Sequence, residues 1–427
     1  MTRRQFAALA AAPLAAAESR PNILLVLSDD HSRPHLGLFG DPLIRTPNLD
    51  RFGREGMRFD RAFQMAPQCV PSRAGLMTGR SPVSARIARF NSPLPPDVVT
   101  LPEMLRAAGY FTGITRRSFH LDGPGPRAGS LMQAVFKKRD MITFDRRVDF
   151  LDRNAPPGQT VERMNAFFDR KPKDKPFFLW ISFNDPHHVW DKIGTHDPAR
   201  IPLPPHLPDL PGVRDDLARY YDEIARMDGE FQSVLDTLAA RGFAKDTLVV
   251  FMGDNGHAFP HGKGSLYDPG LNVPLLVRWP GQVKADAASS ELIGGEDIAP
   301  TLLDAAGLKP DRHMTGSSFL PLLRGQRFEA RRYVFSFRGQ HGSGTFDENT
   351  RSSGFDLSRS VRSKRLKLIY NCTPYQIYAP VDSAGDPGGR EMQAAHRAGT
   401  LPPAIDRAYF THPRPIFELF DLDRDPS

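Results

Sequence analysis

The chain has 427 residues, 40% of them hydrophobic and 25% charged, with a formal charge of +7. That is the balance of a globular enzyme with a large core; no repeat is visible, which argues against a solenoid. No basic run is interleaved with aromatics, which argues against nucleic-acid binding, while a mild positive excess suits an anionic ligand.

The first residues, Met1-Thr2-Arg3-Arg4-Gln5-Phe6, lead into an alanine-rich stretch that closes on Ala15-Ala16-Ala17. Paired arginines, a short apolar stretch and an Ala-x-Ala ending read as a twin-arginine export signal over residues 1–17. The expected location is therefore periplasmic or extracellular. The stretch is too short to span a bilayer, and nothing later in the sequence offers a membrane span.

Residues 22–27 are the first of four short apolar runs that read as buried strands; the others are 111–115, 177–183 and 247–252. Helical patterns alternate with them. Residues 101–108 carry Pro102 early and stop at Gly109. Residues 217–241 place Leu217, Tyr220, Tyr221, Ile224, Phe231, Val234, Leu235 and Leu238 on one stripe, and Gly242 ends it. A third helix is predicted over 298–306. This alternation predicts an α/β domain over 20–330, a mostly parallel sheet sandwiched by helices. From Arg331 the texture changes to short strand-like pieces at 333–337, 360–362 and 366–370 among Gly, Ser and Pro. A small antiparallel subdomain is predicted over 331–427.

Open parallel sheets bind ligands beyond the carboxyl ends of their strands. Each predicted strand is followed there by polar chemistry: Asp29-Asp30, then Arg116-Arg117 with His120, then Asp185, His187 and His188, then Asp254-Asn255.

The run Cys69-Val70-Pro71-Ser72-Arg73, followed by Thr78-Gly79-Arg80, matches C-x-P-S-R with a T-G-R tail. It resembles the signature of type I, formylglycine-dependent sulfatases. The closing Phe417-Glu418-Leu419-Phe420-Asp421-Leu422 with Asp425-Pro426 resembles the ELYDL-x-x-DP segment of the same family, whose members usually continue past it, so the chain looks cut short. The resemblance implies an alkaline-phosphatase-like fold and a formylglycine-generating enzyme that oxidises Cys69 to an aldehyde. The aldehyde hydrates to a geminal diol. One hydroxyl attacks sulfur and displaces the leaving oxygen or nitrogen; the other lets the sulfated intermediate collapse to the aldehyde and release sulfate. The conversion removes the sulfur of Cys69, so no disulfide with Cys372 is expected.

A sulfate ester brings an anion to an anionic nucleophile, which calls for a cation. Asp29, Asp30, Asp254 and Asn255 are hard oxygen donors that suit Ca²⁺, with Mg²⁺ as the second choice. Taken alone, Asp-Asp after a strand also reads as a helix cap and Asn-Gly as a turn. The resemblance makes these four residues and the modified Cys69 the metal ligands.

The rest of the pocket follows residue by residue. A helix starting near Ser72 would aim its amides at the anion, and Arg73 would bond the diol. Lys263, in Gly262-Lys263-Gly264-Ser265, is similar to the family's sulfate-contacting lysine. His187, in Asn184-Asp185-Pro186-His187, resembles the acid that protonates the leaving atom. It is expected above Cys69 and opposite Lys263, with His188 as an alternative or a substrate contact. The match departs at 109–120: Arg117 stands where lysine is usual, and one extra residue precedes His120. Arg117 can still hold a sulfate oxygen with its fork, and His120 can still reach the diol.

The strings around His187 and Asp254 look closest to N-sulfoglucosamine sulfohydrolases, which implies a sulfated saccharide substrate with N- or O-linked sulfate. Two rivals share the features: a phosphonate or phosphate monoester hydrolase of the same superfamily, and a non-catalytic binder of sulfated glycans. The oligomeric state is not legible.

Overall fold

The computed structural model describes residues 20–425 except 88, 89, 91, 123–130, 153–157, 341–354 and 379. The export signal and Pro426 lie outside the described residues. The central sheet has eight strands in the spatial order Phe150–Leu151, Phe111–Arg116, Phe177–Ser182, Asn22–Ser28, Thr247–Gly253, Leu275–Arg278, Met57–Phe59 and Ala287–Ser289. The first five run parallel, so their carboxyl ends share one edge. Leu275–Arg278 is antiparallel to both of its neighbours. All four predicted strands are present, three of them one residue longer at the carboxyl end.

Continuous apolar runs are required because both faces of the sheet are covered. Successive side chains alternate between the faces. Ile23, Leu25, Leu27, Phe178, Trp180, Val250 and Met252 join one core, with Val70, Ala74, Leu76 and Met77 of the helix Cys69–Thr78 and with the helices Leu101–Ala107 and Ile298–Ala305. Leu24, Val26, Leu179, Ile181, Val249 and Phe251 join the other, against the stripe of the long helix Pro211–Ala240. Each such side chain stabilises by roughly 1.5–3 kcal/mol.

The long helix begins six residues before its predicted start at Leu217. Its first turn, Pro-Gly-Val-Arg-Asp-Asp, has no apolar stripe, but Pro211 suits the first helical position. Gly212 is tolerated because the helix Pro387–Arg397 packs there: a Cβ would lie 2.7 Å from the carbonyl carbon of Pro387. The helix predicted near Ser72 begins at Cys69, behind an extended Gln68 (φ −154°, ψ 140°). That moves Cys69 into the first turn, at the positive end of the helix dipole.

The C-terminal region holds the predicted antiparallel sheet, ordered Val334–Gln340, Phe355–Arg362, Leu366–Asn371, Phe417–Asp421. The strand Phe417–Asp421 is the segment read from its Glu-Leu-Phe-Asp string. Neither cysteine is in a disulfide. No helix among the described residues is long and apolar enough to cross a membrane.

Candidate active site

The site forms where the strand order turns, at the carboxyl ends of Asn22–Ser28, Thr247–Gly253 and Phe177–Ser182. Asp29 and Asp30 are consecutive, so an extended chain would point them to opposite faces. Asp30 instead adopts φ 61°, a left-handed conformation that few non-glycine residues take up. Its carbonyl accepts from the Tyr220 hydroxyl at 3.0 Å and its N–H donates to Asp254 Oδ1 at 3.1 Å. Both carboxylates thus face one centre. Asp254 is held there by its N–H on the Ser28 carbonyl, 3.0 Å, and by the Ser72 hydroxyl on its own carbonyl.

Cys69 Sγ lies 3.4 Å from Asp29 Oδ1 and 4.0 Å from Asp30 Oδ1. Asn255 Nδ2 donates to Asp30 Oδ1 at 2.8 Å. Arg73 is fully inserted: Nε donates to Asp254 Oδ2 (2.8 Å), Nη2 to Asp29 Oδ2 (3.0 Å), and Nη1 to Ser182 Oγ (2.9 Å) and the Arg117 carbonyl (3.1 Å). Arg117 Nε reaches Asp29 Oδ2 at 2.8 Å. Its neighbour Arg116, at φ 67°, turns the other way and pairs with Glu230. Of that arginine pair, only Arg117 faces the site.

Lys263 Nζ donates to Asp30 Oδ2 at 2.9 Å and to Asp382 Oδ2 at 2.7 Å, and lies 3.1 Å from His187 Nε2. His187 therefore stands beside Lys263, not opposite it. Both side chains border one carboxylate: Asp30 Oδ2 is also 3.7 Å from His187 Nε2. His188 points elsewhere, with Nε2 on Asp386 Oδ2 at 2.7 Å. His120 is buried, its ring edge-on to Phe90 at 5.7 Å.

The electrostatics are those of an acid-rich centre. Burial, with Asp29, Asp382 and Asp254 close by, pushes Asp30 up to about 7 from 3.8, despite Lys263. Burial and Asp29 raise Asp254 to about 6, despite Arg73. The Cys69 thiol is pushed well up by burial and then by Asp29. Burial would lower Lys263, but Asp30 and Asp382 outweigh it and hold its pKa well above the usual value. His187 is driven well below 6.5 by burial, then by Lys263, Arg117 and His120. Burial opposes charging of His188, but its bond to Asp386 and that carboxylate's charge raise it.

A surplus of buried anions is what a cation relieves. Single donor atoms of Asp29, Asp30, Cys69 and His187 lie within 4.8 Å of one another. Asn255 Oδ1 is buried with no hydrogen-bond partner, an acceptor in want of a donor or an ion. These residues fit a hard divalent cation.

The structure brings together Asp29, Asp30, Cys69, Arg73, Arg117, His187, Asp254, Asn255 and Lys263, with His120 close enough to depress His187. Sequence reading missed Asp382, Asp386 and Ser182. Ser182 lies inside a predicted strand, and its terminal position was the available signal. Asp382 and Asp386 carry no local signal; they arrive from the far end of the chain.

Residues 21–308 match the sulfatase family model, and residues 256–399 match that of the N-sulphoglucosamine sulphohydrolase C-terminal region. The chain is 29% identical over 470 residues to N-sulphoglucosamine sulphohydrolase of Homo sapiens, covering 96% of this chain and 85% of that one. It is 28% identical over 464 residues to an ulvan-active sulfatase of Formosa agariphila, covering 95% and 70%. Among solved structures, BT4656 in complex with its substrate D-glucosamine-2-N,6-O-disulfate superposes with a TM-score of 0.69 at 18% identity, over 95% and 92% of the two chains. Phosphonate monoester hydrolase of Agrobacterium radiobacter gives 0.67 at 20% identity, over 95% and 90%. At those identities the superpositions show a shared fold alone.

Proposed function

The chain belongs to the sulfatase family, a family of sulfuric ester hydrolases, and from that premise we propose that it removes sulfate from a saccharide, as an O-sulfate or an N-sulfate, at the Cys69 centre. The observation that carries this reading is the convergence on Cys69 of chemistry from four strand ends, with three carboxylates, two arginines and a lysine.

Asp29, Asp30, Asp254, Asn255 and residue 69 would hold Ca²⁺ or Mg²⁺, which would supply positive charge to the substrate oxygens. Cys69, once oxidised to Cα-formylglycine, would supply the oxygen nucleophile. Arg73 orients residue 69 and balances Asp29 and Asp254. Lys263 and the Arg117 fork bind sulfate oxygens, drawing the anion down onto the helix start. His120 contacts the hydrated side chain. His187 carries a proton at Nε2 to the departing oxygen or nitrogen. Depth excludes water: Asp29, Asp30, Asp254 and Cys69 have no exposed surface, which strengthens every charge interaction there. The leader over residues 1–17 would place this activity outside the cytoplasm.

The test is release of free sulfate from glucosamine N-sulfate, O-sulfated hexosamines and an aryl sulfate, alongside an aryl phosphate and a phosphonate monoester. Sulfate release from a sugar is expected. Faster turnover of the phosphorus esters would move the reading to a phosphonate hydrolase, and saccharide binding without sulfate release would make the protein a binder.

A further inference from the structure

Residues 380–386 reach the site from beyond the α/β domain. Their anchors are firm. Val381, Ser383 and Ala384 are buried. The Ser383 hydroxyl donates to the Ala258 carbonyl at 2.6 Å, and Gln393 Nε2 donates to the Ala384 carbonyl at 2.9 Å. The Gly388 N–H, just beyond, donates to Asp216 at 2.9 Å. The loop that carries Lys263 is shaped around this segment: Gly264, at φ +80°, would place a Cβ 2.0 Å from Val381 Cγ2.

The segment delivers two carboxylates that stay partly open to solvent. Asp382 is 25% exposed and grips Lys263. Asp386 is 18% exposed and grips His188, itself 12% exposed. Asp386 occupies the N-cap of Pro387–Arg397, yet its side chain makes no capping bond. An aspartate there ordinarily caps, at a gain of about 1 kcal/mol. Its one side-chain partner among the described residues is His188. The His188 ring is fixed edge-on to Trp190 at 5.2 Å, and Trp190 stacks on Phe259 at 4.5 Å. Val189, next along the chain, is 75% exposed.

We propose that Asp386 and His188, backed by Asp382, form the subsite for the sugar ring that bears the sulfate. The Asp386 carboxylate and the His188 imidazole exchange hydrogen bonds with ring hydroxyls beside the leaving atom, and Val189 lies against the ring's C–H face. His187 and His188 then divide the work: the first faces Lys263 and the leaving atom, the second faces the hydroxyls. This rests on the saccharide reading above. A substrate without hydroxyls gains nothing from the subsite.

The experiment compares kcat/KM for a sulfated monosaccharide with that for 4-nitrophenyl sulfate, in wild type, Asp386→Ala, Asp386→Asn and His188→Gln, with melting temperatures for each. A hydrogen bond to a charged group is worth on the order of tenfold or more in affinity. The sugar-to-aryl ratio should therefore fall at least about tenfold in Asp386→Ala, mainly through KM. It should fall less in Asp386→Asn, whose amide oxygen still accepts. If Asp386→Ala does not fold, the same fall in His188→Gln carries the proposal. Equal losses on both substrates, or an unmoved ratio, would overturn the subsite and leave the saccharide reading standing. A wild type that cleaves the aryl sulfate but no sugar would overturn both.

Discussion

Two clusters of buried charge, one at Asp268 and one at Cys69, behave in opposite ways. At Asp268, Lys367 Nζ is 2.7 Å from one carboxylate oxygen and Arg362 Nη2 is 3.1 Å from the other. Burial alone would raise Asp268, but Lys367 and Arg362 outweigh it and hold its pKa below 3.8. Around Cys69, by contrast, Asp30 and Asp254 are raised to about 7 and about 6 even with Lys263 and Arg73 in contact. In the first cluster the chain supplies two cations that hold its one carboxylate ionised, and the pairs tie the C-terminal sheet to the α/β domain. The second is left short of positive charge. Buried carboxylates that the chain's own cations do not hold ionised mark a place built to receive something.

The largest effect expected from breaking this contrast is on turnover. Cys69→Ala should lower kcat on any sulfate by on the order of a thousandfold or more, because the proposed nucleophile is gone. Its melting temperature should hold, since no balancing charge is removed. Mass analysis of the active wild type should show residue 69 without its thiol; activity from protein that is entirely thiol there would contradict the mechanism.

The same substitution in the two clusters should then separate them. Asp30→Asn should cost about a hundredfold in turnover while the ion-free protein melts no lower, because the carboxyl that burial and its acidic neighbours push up to about 7 is the one that gains from neutrality. Asp268→Asn should do the reverse. It leaves Lys367 and Arg362 buried beside a neutral group, which destabilises by about 3 kcal/mol, and the folded fraction should keep near-normal kcat. Denaturant titration and kinetics on both variants read this directly, and matching outcomes for the pair would erase the distinction.

A smaller effect belongs to the proton. His187→Ala should slow a sulfated sugar by about a hundredfold and an activated aryl sulfate by about tenfold, because a good leaving group needs less protonation. Equal losses would mean that His187 only binds. As the proposed acid, His187 works protonated, so activity should fall as pH rises through its folded pKa. Burial, Lys263, Arg117 and His120 hold that value below 6.5, so the decline should begin on the acid side of neutrality and vanish in the variant.

The smallest effect is on stability. Asp30 and Asp254 bind protons more tightly when folded, at about 7 and about 6, than at their ordinary 3.8. Across that window the folded chain holds more protons than the unfolded chain. This contribution is fully present below about pH 4 and is lost as pH rises through 7. Chelated protein should therefore melt a few degrees lower at pH 8 than at pH 5. Added Ca²⁺ should restore most of the difference at pH 8 and little at pH 5, where protons compete. A flat melting profile in chelator would show that the acids are balanced after all.

The sequence itself determined the strands, the sheet class and which strand ends carry most of the candidate residues. Apolar runs bounded by Asp-Asp, Arg-Arg, Asp-Pro-His and Asp-Asn are local patterns, and a parallel sheet brings their ends to one edge whatever the loops do. The Cys69 run was legible for the same reason, as a short contiguous string. Tertiary structure decided what depends on turning or crossing the chain. The left-handed backbone at Asp30 put two consecutive carboxylates on one side, and its counterpart at Arg116 kept that arginine out of the site. The fold set His187 beside Lys263, both bordering Asp30. Asp382 and Asp386 joined the site only because residues 380–386 fold back over the Lys263 loop. Periodicity and motif record neighbours along the chain; these contacts join residues from 76 to 233 positions apart, and packing alone brings them together.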